Sequence, residues 1–256
     1  MKKIIAILLV FIILIEFYIL LILVDDKGKA IVVSNGEINL NKKIEKKDSP
    51  KINEMAKVYL PVDTILQLPE LPNGCEITSL TSLLTFYKYK INKTEMSDKY
   101  LPKQPFHRIN NKLYGANPYE AFAGDPRDEN GFFTYAPPIV EAANRYLKEV
   151  GGKEVAKDLS GSSRERIIEQ IDNGIPVVVW ITRDLSPPKV EYSWYLHDTE
   201  DKFYAPINLH SVVLNGYNDN EVYVMDPLKG QTTYNTDIFF ESYFALGSHA
   251  MTIVKN

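Results

Sequence analysis

Cysteine is almost missing from this chain: Cys75 is the only one in 256 residues. A lone thiol cannot close an internal disulfide, so oxidative staples do not hold the fold. The patterns of several other chemistries are missing too. No H-E-x-x-H or C-x-x-C offers a zinc site, no G-x-S-x-G a serine nucleophile, and no G-x-x-x-x-G-K-[ST] a phosphate cradle. An excess of basic charge is also lacking. The formal net charge is −4, which gives no field for nucleic acid. Neither a metal nor an organic cofactor is therefore expected.

What is present is ordinary globular composition, with 45% apolar and 24% charged residues, in a chain long enough to bury a sizeable core. One segment departs from it. Ile4 to Val24, "IIAILLVFIILIEFYILLILV", is interrupted only by Glu16. As a helix it would run roughly 30 Å, enough to cross a bilayer. A carboxylate near the midplane costs about 3 kcal/mol, which some twenty apolar residues outweigh. The run ends in "LVDDKGKA" with no Ala-x-Ala-like site, so it is expected to remain as an anchor. Lys2 and Lys3 before it, and Asp25 and Asp26 after it, place the N-terminus in the cytoplasm and the rest outside. Residues 1–24 are thus read as a transmembrane signal-anchor and 25–57, of mixed charge, as a stalk. The domain is residues 58–256.

Within the domain, Ile77, Leu80, Leu83, Leu84 and Tyr87 fall at helix spacing after Cys75 and predict a helix with one buried face. Asn73 and Glu76 have the form of a capping box at its start. Residues 101–136 read as ordered loops. Pro137-Pro138 opens a helix to about Val150, and "SSRERIIEQIDNG" is another with a glycine stop. "PVVVWIT" reads as a buried strand, "HSVVLNGY" and "EVYVMDP" as a hairpin about "NDN", "TDIFFESYFAL" as a short helix, and "HAMTIVK" as a closing strand. Helices first and mainly antiparallel strands after make an α+β fold.

Cys75 falls in the first turn of its helix, where the macrodipole favours an anion by less than one pKa unit. A thiolate at neutral pH needs a histidine partner. His210 begins one hairpin strand and Asp226 ends the other, within about two residues of register, so the carboxylate can orient the ring. His107 lies in a loop, His197 in a polar stretch, and His249 starts a strand with no hairpin carboxylate. An acyl-transfer site also needs oxyanion donors: the Cys75 N–H is one, and Gln67, eight residues upstream, is a candidate second, or else an exposed polar residue.

"Q-L-P-E-L-P-N-G-C-E-I-T-S-L" followed by "H-S-V-V-L-N-G-Y-N-D-N-E-V-Y-V-M-D-P" resembles the papain-like cysteine peptidases, and more closely the double-glycine, bacteriocin-leader-processing type and its stand-alone bacterial relatives. The resemblance implies Cys75 as nucleophile, His210 as base, Asp226 as orienter and Gln67 as oxyanion donor. It implies a papain-like fold with the cysteine helix packed on an antiparallel sheet, and a peptide or protein substrate. Cys75 is followed by Glu76 where leader-processing members carry glycine, and these 256 residues hold no G-x-x-x-x-G-K-[ST] of an exporter ATPase. A cell-wall peptide amidase or acyltransferase would use the same residues, and a non-catalytic binding module would keep only the scaffold.

Overall fold

A computed structural model describes residues 57–255 and, before them, four two-residue strands: Leu23–Val24 paired with Ala30–Ile31, and Val33–Ser34 paired with Glu37–Ile38. The expected anchor lies outside the described residues except for Leu23 and Val24, which are strand rather than helix. No helix among the described residues is long and apolar enough to cross a membrane. The chain divides into two units, residues 1–51 and 52–256, and every candidate site residue belongs to the second.

In chain order the main elements of this second unit are β1 (Val58–Tyr59), α1 (Cys75–Phe86), β2 (Lys103–Gln104), β3 (His107–Ile109), β4 (Lys112–Gly115), β5 (Phe122–Ala123), α2 (Ala136–Glu149), β6 (Glu154–Asp158), α3 (Arg164–Asp172), β7 (Val177–Thr182), β8 (Val190–Leu196), β9 (Lys202–Pro206), β10 (Leu209–Tyr217), β11 (Glu221–Asp226), β12 (Gly230–Asn235), α4 (Thr236–Ala245) and β13 (Ala250–Lys255). One antiparallel sheet, ordered β6-β13-β7-β10-β11-β12, forms the centre. Both of its faces are covered, which is why β7 reads as a continuous buried run instead of alternating. Val178 and Trp180 enter a core with Leu80, Leu83 and Ile139 from α1 and α2, while Val177, Val179 and Ile181 enter another with Ile167 and Phe240 from α3 and α4. Each large aliphatic side chain so buried contributes about 1.5–3 kcal/mol.

α1 is buried on nearly every side, from Cys75 through Leu84, where the spacing predicts one apolar face. Several of its hydroxyls bond backbone carbonyls, among them Thr81 Oγ1, which donates to Ile77 O at 2.7 Å, and Ser79 Oγ, which donates to Ser211 O on β10 at 3.2 Å.

β10 changes partner along its length. Its first half pairs with β7, Ile181 opposite His210, and its end pairs with β1, Tyr59 opposite Gly216. Asn215 is a bulge between the halves. A Cβ at Gly216 would stand 2.6 Å from Val58 O, so only glycine lets β1 come this close.

The stretch expected to be loops carries short strands instead. Asn110 and Asn111, both at positive φ, turn β3 into β4. β4 then pairs in parallel with β8, Tyr114 opposite Tyr195, giving a second sheet ordered β9-β8-β4-β3. A pairing between segments so far apart in sequence leaves no local pattern to read.

Candidate active site

Cys75 is the first residue of α1, after Gly74 at the N-cap. A Cβ at Gly74 would lie 2.5 Å from Leu71 Cβ, so the loop can fold under the helix start only with glycine there. The expected capping box does not form. Asn73 Nδ2 donates to Asp128 O at 2.8 Å, tying this loop to the segment before Gly131. Glu76 turns inward: its Oε2 accepts from Cys75 Sγ at 3.3 Å and its Oε1 from the Thr134 N–H at 3.1 Å. With Asn73 and Glu76 both drawn away, the first turn is capped by no side chain.

These contacts set the resting thiol. Burial, then the charge and hydrogen bond of Glu76, raise the Cys75 pKa well above the ordinary thiol value, and the backbone at Ser211 and the Arg183 guanidinium only partly oppose them. Burial likewise lifts Glu76 to about 7 against its hydrogen bonds. The helix-start thiol is therefore a proton-bearing donor, not a standing thiolate.

His210 and Asp226 meet as the hairpin register requires. Val213 stands opposite Met225, so His210 and Asp226 are a diagonal pair two residues out of step on one face. His210 Nε2 lies 2.8 Å from Asp226 Oδ1, and both side chains are buried. Asp226 is held further by the Leu228 N–H at 2.8 Å and the Tyr234 hydroxyl at 3.1 Å. Burial pushes the Asp226 pKa up, but the His210 bond, its charge and the Leu228 N–H outweigh it, so the carboxyl sits below its ordinary value. An ionised carboxylate can only accept, which fixes the imidazole proton on Nε2 and leaves Nδ1 with its lone pair free.

Cys75 and His210 line one cavity of about 200 Å³, together with Gln67, Phe132, Phe133 and Arg183. The sulfur's hydrogen bond goes to Glu76 and not to the imidazole. Gln67 is buried, with its N–H bonded to Pro227 O at 2.9 Å beside Asp226. Its amide nitrogen donates to Leu71 O at 3.3 Å and Pro72 O at 2.7 Å, so both amide hydrogens are occupied here.

The other histidines stand elsewhere. His249 stacks on Tyr135 at 4.1 Å, and burial lowers it to about 4. His197, in the polar stretch, stacks on His107 at 4.3 Å against the second sheet. Glu76, Tyr234 and Arg183 are the site residues the sequence reading missed. Their side chains come from a helix, a strand and the turn after β7, and only Tyr234, eight residues after Asp226, lies near another site residue on the same hairpin.

A thiol at a helix start and an imidazole–carboxylate pair line one cavity on a mixed α/β scaffold, the residue types that a thiol hydrolase would use. The Peptidase_C39 like family model matches residues 59–251, and the chain belongs to this family. It is 31% identical over 234 residues to the uncharacterized protein YvpB of Bacillus subtilis (strain 168), covering 89% of this chain and 85% of that one. A crystal structure of a C39-like peptidase from Bacillus anthracis superposes with a TM-score of 0.68 at 30% identity, over 78% of this chain and 98% of that one.

Proposed function

We propose that the protein is a cysteine peptidase, with Cys75 as nucleophile, His210 as base, Asp226 as orienter, and the Cys75 N–H and Gln67 amide as oxyanion donors. The observation that carries this reading is the 2.8 Å His210–Asp226 pair opening on the cavity that Cys75 lines. The thiol proton passes to His210 Nδ1 as the sulfur attacks the scissile carbonyl. The oxyanion is held by the Cys75 N–H, and by Gln67 once it releases one of its two carbonyls. His210 returns the proton to the leaving amine as the C–N bond breaks. Water, deprotonated by the same ring, then opens the thioester and frees the acid.

The substrate is a peptide or protein strand laid across Phe132 and Phe133. The protein is proposed to work outside the cytoplasm on a single-pass anchor, supported by the apolar run at 4–24 and the charges around it. An amidase or acyltransferase would share the triad and differ only in acceptor and substrate. Peptide hydrolysis by the purified chain tests the reading. Cys75→Ala and His210→Ala are each expected to abolish turnover while the fold persists, and turnover surviving in Cys75→Ala would overturn it.

A further inference from the structure

Glu76 is 1% exposed, and among the described residues no lysine, arginine or histidine contacts it. A lone carboxylate is costly to bury, and an apolar side chain would fill the space without that cost. Both oxygens are nonetheless used. One takes the thiol hydrogen of Cys75; the other takes the N–H of Thr134. Thr134 follows Phe132 and Phe133 of the cavity wall and is fixed from behind, its carbonyl accepting from Trp180 Nε1 at 2.8 Å and its hydroxyl donating to Pro118 O at 2.9 Å. The carboxylate is thus a bridge between the sulfur and the wall on which a peptide would lie.

We propose that Glu76 is a positioning residue that keeps Cys75 a neutral thiol turned away from His210 until a peptide seats against residues 131–133. This rests on the reading that Cys75 is the nucleophile, and adds how it is held in reserve. The titratable and charged groups around the pair are few. Cys75 shares the helix, His210 lines the same cavity from β10, and Arg183 in the turn after β7 favours the thiolate. Tyr135, next to Thr134, turns toward Tyr119 and His249. Glu76 is the side chain bonded to the sulfur, so its acceptor oxygen, and its charge once the carboxyl ionises near pH 7, favour S–H over S⁻. On activation the proton leaves sulfur for His210 Nδ1, and Glu76 keeps the Thr134 N–H.

Two measurements on the full-length chain test this without peptide turnover. In the wild type, the only cysteine makes the S–H infrared stretch assignable. That band is expected to be present at pH 7, and its absence would overturn the proposal. In Glu76→Gln the amide oxygen can keep the Thr134 bond while the NH2 donates to sulfur. The pH midpoint for iodoacetamide alkylation of Cys75 is then expected to fall by about one pH unit, raising the rate at about pH 8, where Glu76 is ionised, about tenfold. An unchanged or higher midpoint would overturn it. Peptidase activity enters neither readout, so a failure here is separable from a failure of the peptidase reading.

Discussion

Two buried histidines flank the same strand. β7 carries His210 on one side, opposite Ile181, and on the other side accepts His249, whose carbonyl takes the Trp180 N–H at 3.1 Å. Both rings are nearly inaccessible, yet only one has a chemical prospect. His210 has Asp226 at 2.8 Å on a neighbouring strand. His249 has tyrosines: Tyr135 against its face, the Tyr119 hydroxyl 3.4 Å from Nε2, and no partner for Nδ1 among the described residues. Burial by itself only discharges an imidazole. A carboxylate in register gives the ring a fixed tautomer and a place to put positive charge.

The largest expected effect comes from making the two rings alike. Asp226→Asn leaves the packing and reverses the bond that sets the His210 tautomer, so peptide turnover is expected to fall by about 10³-fold or more with the melting temperature nearly kept. A loss of less than tenfold would mean that the carboxylate does not distinguish the two histidines.

Next is the pH dependence of stability. Folded His249 stays neutral down to about pH 4, whereas an unfolded histidine takes its proton near 6.5, so this residue costs stability as pH falls from 6.5 through 4, by about 3 kcal/mol. Glu76 has the opposite slope. Its folded carboxyl keeps the proton to about 7 while the unfolded one loses it near 4.5, so stability falls as pH rises across that window by a similar amount, about 3 kcal/mol. In the wild type the two largely cancel. His249→Phe keeps a ring against Tyr135 and removes one slope, so urea titrations are expected to show this variant losing stability as pH rises from 4.5 to 6.5. A pH profile parallel to the wild type would show that His249 is not held neutral.

The smallest effect sharpens the same contrast. Tyr234→Phe removes one of the bonds to Asp226 and is expected to cost about 1–2 kcal/mol and several-fold in turnover, measured by urea titration and peptide hydrolysis. Equal turnover in the variant would place the whole difference between the rings in the His210–Asp226 bond.

The His210–Asp226 pair was legible because a hairpin is a local object: a turn at "NDN" and a count of residues suffice. The helix after Cys75 and the β-branched strand at 177–182 were legible for the same reason. Glu76 was not, because the Asn-x-x-Glu pattern has a local explanation, capping, that a distant one overrides. Its partner Thr134 lies 58 positions later, and Asn73 is drawn off by carbonyls at 128 and 129. The second sheet was hidden likewise, since β4 meets β8 only through the fold. Gln67 was placed near the site by spacing, but nothing in the sequence told that its amide would close on its own loop.

The partner exchange along β10 also settles where the polypeptide comes and goes. Val58 stands opposite Tyr217, and Lys255 lies three residues past Thr252, which faces Val177. Both entry and exit are therefore at the end of the sheet remote from His210, about 20 Å away along the strand. A chain joined at residue 58 or at residue 255 would meet this domain far from His210 and the cavity that it lines.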